Sequence, residues 1–307
     1  MSVSIAIIDV GTNTTRLYVA EVDGGRVVRE LTRISTVTRL GAGVDASGRL
    51  ASDALAREHA VLADYASRLE VSQPDRRVAV MTSAVRDAAN GHEFAADAAA
   101  RYKLDVHVLD GEQEARLTYL GATDELDPKL SERTLVLDIG GGSTEIVCGR
   151  GEAIDFHVST QAGVVRQADR HLRSDPPSDA ELAAVAADVR ATLDAAVPPS
   201  QRQGIAGALA VAGAPTSLAA IAQHLDPYDS ARVHGYELTV DAIAKIDARL
   251  RRLPLSARQQ VPGLHPDRAA AILPGIVILR ELMALFALDS VTVSEHDILR
   301  GAAVAYA

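Results

Sequence analysis

Only one cysteine, Cys148, occurs in the 307-residue chain, tryptophan is absent, and aromatic residues make up just 3%. A lone thiol excludes an intrachain disulfide and any cysteine-rich zinc site. Set in an apolar run, Cys148 reads as a small buried hydrophobe. With so few rings, the cores must rest on Ala, Val, Leu and Ile, and a hydrophobic content of 48% is enough to fill two of them. Long apolar runs are missing too. The longest, AAAILPGIVIL at 269–279, contains Pro274 and falls well short of the ~20 residues that span a bilayer. The opening MSVSIAIIDV has no basic n-region, so a cytoplasmic protein without membrane partners is expected. Positive charge is scarce, with 31 Lys and Arg against 41 Asp and Glu, a formal charge of −10. That balance argues against nucleic acid as a partner held by the overall field. A polyanionic ligand would need a local, arginine-lined cleft. The nine histidines show no metal-ligand spacing, and no nucleophilic triad is present.

What the chain does have is a motif that occurs twice. IAIIDVGTNTTRLYVAEV at 5–22 is echoed by TLVLDIGGGSTEIVCG at 134–149. Asp9 aligns with Asp138, Gly11 with Gly140, Thr14 with Ser143 and Thr15 with Thr144, always 129 residues apart (138 − 9). Each copy reads as an antiparallel hairpin with a polar turn, strands at 3–8 and 17–22 forming the first. A third strand follows, then an amphipathic helix in which Leu55, Leu62, Ala66 and Leu69 recur at helical spacing. Next come a buried strand at 78–81, a loop or helix start at Thr82 or Ser83, a helix near 91–102, a strand, a break at Asp110-Gly111 and another helix. Polar DELDPKLSERT at 124–134 reads as a linker. Beyond the second hairpin, Ser178 and Glu181 form a capping box. A strand then ends near Gly213, helices follow at about 216–224, 240–252 and 267–287, and a strand and a terminal helix come last. The expected fold class is α/β: two domains on one plan, at 1–124 and 132–296, with a ligand cleft between them.

A turn rich in Gly, Ser and Thr leaves backbone N–H groups unshielded, and such a turn is an anion nest. Gly140, Gly141 and Gly142 let a phosphate approach the backbone, and Ser143 and Thr144 add hydroxyls. Asn13, Thr14 and Thr15 fill the same slots in the first turn. The Gly-Lys-Ser/Thr of a P-loop is absent and a strand follows the turn, so neither a P-loop nor a dinucleotide fingerprint is present. Carboxylates beside a phosphate repel it unless a cation intervenes. Asp9, Asp138 and Glu145 are therefore candidate ligands for Mg²⁺ (or Mn²⁺).

With both hairpins in view, the chain resembles the exopolyphosphatase and guanosine pentaphosphate phosphohydrolase family, a branch of the sugar-kinase, heat-shock-chaperone and actin ATPase superfamily. DVGTNTTR and DIGGGSTE resemble its two phosphate motifs. TRLGAGV (38–44), TSAVRDAAN (82–90), GEQEAR (111–116) and SEHDILRGAA (294–303) resemble further family segments. The resemblance implies two ribonuclease H-like domains with mixed sheets flanked by helices, the terminal helix at about 297–307 folding back on the first. It implies Glu114 as general base, with Glu112 serving the helix terminus, and Glu145 as metal ligand or water-positioning group. It also implies Arg16, Arg39, Ser83 and Arg86 as phosphate ligands, where arginine forks suit phosphate oxygens. Asn90 and His296 are expected to be structural. Thr12 and Thr14 stand where serines are common, and Pro215 in GAPTSL departs from the family pattern at a segment that faces adenosine in nucleotide-binding relatives. No additional C-terminal helical domain follows, which points to the short two-domain subgroup. The implied activity is release of terminal orthophosphate from inorganic polyphosphate, with the guanosine pentaphosphate 5′-phosphohydrolase reaction as the alternative. A superfamily kinase or ATPase, or a catalytically silent sensor, would be a different class of protein. A monovalent cation is an additional cofactor candidate, and a homodimer is expected from the resemblance.

Overall fold

The computed structural model describes residues 2–124 and 132–307; residues 125–131, most of the expected linker, lie outside the described part. The chain divides into two compact units. One comprises the chain up to Asp124 together with Asp297–Ala307, and the other extends to His296.

The first unit is built on a five-stranded sheet of β1 (Val3–Val10), β2 (Thr14–Asp23), β3 (Arg26–Val37), β4 (Arg76–Met81) and β5 (Asp105–Val108), ordered β3-β2-β1-β4-β5. The hairpin strands pair antiparallel, while β1, β4 and β5 run parallel. Because β1 is apolar at consecutive positions, both of its faces are buried. Ala6, Ile8 and Val10 join a core with Leu17, Val19 and Leu62. Ile5 and Ile7 join a second core with Tyr18, Leu299 and Ala302.

The second unit holds β6 (Thr134–Ile139), β7 (Thr144–Arg150), β8 (Ala153–Thr160), β9 (Gly207–Val211), β10 (Glu237–Thr239) and β11 (Ser290–Val293), ordered β10-β11-β9-β6-β7-β8. Its central hairpin is again antiparallel, and β6, β9 and β11 again run parallel. Two α/β units on one plan, each a mixed sheet flanked by helices, make the ribonuclease H-like architecture. Cys148 is buried in the core of the second unit, and burial pushes its thiol up to about 11. Among the described residues, no helix is long and apolar enough to cross a membrane.

Local chemistry accounts for most element boundaries. Ser178 and Glu181 cap the helix Asp179–Ala196 reciprocally, as their spacing predicts. Asp110 and Gln113 do the same for Gly111–Thr123, with Gln113 N–H donating to Asp110 at 2.8 Å and Asp110 N–H to Gln113 at 3.0 Å. The helix expected at 267–287 begins instead at Ile272. Residues Pro266–Arg268 form a separate short turn, in which the His265 ring accepts from Asp267 N–H. Pro274 and Pro215 both fall in the first turns of their helices, where a missing N–H removes no intrahelical bond.

The terminal helix Ile298–Tyr306 packs against Gly111–Thr123 with almost no separation. A Cβ at Gly301 would lie 1.8 Å from the Leu117 carbonyl, and one at Gly121 would lie 1.9 Å from that of Asp297. Arg300 Nε also donates to Asp124 at 2.6 Å, both side chains being nearly buried. Gly301→Ala must push these helices apart. It is expected to cost about 1–3 kcal/mol, read as a lower urea midpoint than that of the unmodified chain.

Candidate active site

The glycine run between β6 and β7 is shaped by the start of the helix Val164–His171. Val164 N–H donates to Gly140 O (3.0 Å) and Val165 N–H to Gly141 O (2.8 Å). Arg166 adds its N–H to Gly141 O (3.3 Å) and its Nε to Gly142 O (2.9 Å). Three consecutive carbonyls are thus drawn towards one side. In a trans peptide the following N–H points the opposite way, so the N–H groups of Gly141, Gly142 and Ser143 project together from the other side. None of them finds an acceptor among the described residues. The approach is possible only because residue 163 is glycine: a Cβ there would lie 2.3 Å from Gly141 O. This is an anion nest in the strict sense of convergent backbone donors.

The first loop repeats the turn, with Gly11 N–H donating to Thr14 O at 3.1 Å just as Gly140 N–H donates to Ser143 O at 3.0 Å. Here the carbonyls are held by the TRLGAGV segment instead of a helix. Thr38 and Arg39 N–H donate to Asn13 O at 3.1 and 3.0 Å, and Gly41 N–H to Thr12 O at 2.8 Å. Asn13 Nδ2 donates to Thr14 Oγ1 at 3.4 Å.

The side-chain hydroxyls behave differently from expectation. Thr15 and Thr144 are fully buried, because each continues the core-facing alternation of its strand. Thr144 Oγ1 donates to Ala162 O at 2.6 Å, and Thr15 Oγ1 lies 2.7 Å from Glu58. Both hydroxyls, expected on phosphate, are engaged beneath the loops by groups of the protein itself. Ser83, in contrast, is buried with an Oγ that has no partner among the described residues.

The register places Asp9 opposite Arg16 in the first hairpin and Asp138 opposite Glu145 in the second. Arg16 donates to Asp9 Oδ2 through Nε (2.8 Å) and Nη2 (2.6 Å), and through Nη1 to Asp297, the N-cap of the terminal helix. Arg33 lies 3.5 Å from the same Asp297 oxygen. Burial raises the Asp9 carboxyl above its ordinary range, with Arg16 opposing. Burial also acts on Asp297, but there Arg16 and Arg33 outweigh it and hold the carboxyl below its ordinary range. The Arg16 fork, expected on phosphate, is therefore engaged by two carboxylates. Asp9 already has a cationic partner. At the second hairpin the corresponding pair consists of two buried carboxylates, Glu145 accepting from Ser159 Oγ at 2.8 Å. Asp138 and Glu145 are register partners, so of the expected metal ligands these two bring a pair of carboxylates to one place. No group of three or more metal-ligating side chains occurs among the described residues. Two carboxylates suit Mg²⁺, which keeps waters and phosphate oxygens as its remaining ligands.

Glu114 is buried on the first turn of its helix, whereas Glu112 beside it is exposed. Arg86 Nη1 donates to Glu114 Oε2 at 2.7 Å and to Leu109 O at 3.0 Å, fixing the carboxylate's direction. Arg86, expected on phosphate, thus also meets a carboxylate. Arg39 is exposed, with no partner for its guanidinium among the described residues. Asn90 is structural, bonding both the N–H and the carbonyl of Leu50 at 2.8 and 3.0 Å. The sequence reading did not pick out Glu58, Ser159, Gly163, Arg166 or Asp297. None has a local signature, since each acts on a loop remote in the chain.

Paired phosphate-type loops on duplicated ribonuclease H-like units, with a buried, arginine-held glutamate, define a phosphoanhydride hydrolase. The sequence profile of the Ppx/GppA phosphatase family matches residues 18–303. Exopolyphosphatase 2 of Mycobacterium tuberculosis is 36% identical over 315 residues, covering 99% of this chain and 98% of that protein. Among solved structures, an exopolyphosphatase-like protein aligns with TM-score 0.91 at 32% identity, covering 99% of this chain and 98% of the other. The Aquifex aeolicus member of the Ppx/GppA family aligns with TM-score 0.82 at 29% identity, covering 100% and 98%. The chain belongs to the Ppx/GppA phosphatase family.

Gly163→Ala tests the nest directly. The added methyl displaces the loop, and phosphate release is expected to fall about 10²-fold with the fold intact by circular dichroism. Unchanged turnover would remove the nest from the site.

Proposed function

We propose that this protein is an exopolyphosphatase, releasing orthophosphate from the end of linear inorganic polyphosphate. The observation that carries the reading is the row of three aligned N–H donors at Gly141–Ser143 beside the opposed carboxylates Asp138 and Glu145. Such a row recognises phosphate oxygens without reading a base or a sugar. Full-length similarity to a protein named exopolyphosphatase 2 supports the same substrate.

In this reading the Gly141–Ser143 nest binds phosphate oxygens, and Asp138 and Glu145 would hold Mg²⁺. The bound ion would supply charge neutralisation at the phosphate oxygens. Glu114 is assigned as the base that accepts a proton from water as the water oxygen attacks the terminal phosphorus. The bridging P–O bond breaks, and the shortened chain leaves with the electron pair. Arg86 aims the Glu114 carboxylate through the 2.7 Å bond.

The test measures phosphate release from polyphosphates of several lengths, guanosine pentaphosphate and ATP, with and without Mg²⁺. Polyphosphate is expected to turn over fastest, and only with the metal. Guanosine pentaphosphate turning over faster than polyphosphate would overturn the substrate assignment. Glu114→Gln should lower kcat by about 10²–10⁴ with polyphosphate still bound; full activity in that variant would overturn the base.

A further inference from the structure

Glu58 is fully buried on the helix Ser52–Ser72, directly beneath the first phosphate-type loop. Among the described residues no cation pairs with it. Its neighbours are hydroxyls. Thr15 Oγ1 stands 2.7 Å from Oε1 and 2.8 Å from Oε2, and Thr38 Oγ1 stands 3.3 Å from Thr15 Oγ1. Thr15 begins the strand leaving the first loop, and Thr38 follows β3. The backbone N–H of Thr38 donates to Asn13 O, inside the loop itself. One carboxyl therefore ties together both chain segments that shape the loop.

An ionised carboxylate in such a place would lack a counter-charge and cost several kcal/mol in desolvation. A protonated one has three hydroxyl hydrogens for three oxygen-to-oxygen contacts, so every donor finds an acceptor. We propose that Glu58 is a positioning residue that sets the first loop from below, as a neutral acid that exchanges hydrogen bonds with Thr15 through both of its oxygens and reaches Thr38 through Thr15. Ionisation removes the carboxyl's own donor and with it one of the two Glu58–Thr15 hydrogen bonds, which loosens the loop, so the loop geometry responds to pH.

The other groups acting on Glu58 are compatible with this. Asp9 on β1 adds negative charge and further disfavours ionisation. Tyr65, on the same helix, donates to Thr15 O at 3.1 Å and bonds Thr36 Oγ1 at 2.9 Å. Tyr102 ends the helix Gly91–Tyr102 and is held by the His59 carbonyl at 2.9 Å. The adjacent Arg57 is turned away, bonding Asp53 and the Thr38 carbonyl at 2.7 and 3.0 Å. Burial, opposed by the Thr15 and Thr38 hydrogen bonds, pushes the Glu58 carboxyl up to about 7. An unfolded chain ionises this group near 4.5. The stabilisation is thus complete below the lower value and is lost as pH rises through the upper one.

The experiment compares the full chain with Glu58→Gln, which keeps the shape and a donor but cannot ionise. From about pH 5 to about pH 8 the melting temperature of the unmodified chain should fall by several degrees relative to Glu58→Gln, levelling above neutrality. A constant difference across that range overturns the neutral-acid assignment. Backbone amide resonances of Thr38 and Arg39 should move with a midpoint near 7 in the unmodified chain and stay still in Glu58→Gln. Movement in both proteins overturns the positioning role. The link to catalysis rests on the exopolyphosphatase reading. If that reading holds, KM for polyphosphate rises about three- to tenfold above neutral pH in the unmodified chain only, with kcat little changed. Parallel KM profiles overturn the link. Absence of phosphate release from both proteins overturns the activity and leaves the melting and resonance arms to judge Glu58. Should Glu58→Gln fail to fold, Thr38→Val removes one hydrogen bond to the charged form. It should move the midpoint upward, and an unchanged or lowered midpoint overturns the assignment of that midpoint to Glu58.

Discussion

The second loop depends on one backbone event, the pulling of the Gly140, Gly141 and Gly142 carbonyls to one side by the first turn of the helix Val164–His171. A helix start has N–H groups with no intrahelical partner, and here they are satisfied by the loop. Peptide planarity converts that satisfaction into three N–H groups aimed the opposite way. The helix orphans and the loop's readiness for an anion are thus two sides of one arrangement. Gly163 makes it possible, since any side chain there would hold the helix off the loop.

The two hairpins share their geometry and differ in their charge. Across from Asp9 stands a guanidinium, and across from Asp138 stands a second carboxylate. The first arrangement is neutral as it stands and is extended through Asp297 and Arg33 into a buried alternation of acids and bases. The second sets two buried carboxylates face to face. The same turn geometry therefore carries an acid–base pair in one hairpin and an acid–acid pair in the other. The terminal helix belongs to this logic twice. Its N-cap Asp297 holds Arg16, and its Gly301 lets it lie against the helix that carries Glu114.

Much of the fold was legible because its signals are local. Continuous apolar runs marked β1, β4 and β6, the Ser178–Glu181 spacing marked a helix start, and the repeat at Asp9 and Asp138 marked two units on one plan. The burial of Glu114 beside an exposed Glu112 also follows from helix periodicity. Side-chain roles were less legible. Thr14 and Thr15 look alike in the sequence, yet strand alternation sends the second into the core. Arg16 and Arg86 look like free forks, yet each meets a carboxylate brought from far along the chain.

By itself, then, the sequence determined the strands and helices, the duplicated turn and the family, because these rest on periodicity, capping and short motifs. The tertiary structure alone decided which donors face outward, which arginines are engaged, and which loops Glu58 and Gly163 lie against. Those outcomes depend on contacts between segments from about 20 to nearly 300 residues apart, and local residue patterns do not encode which distant group will arrive.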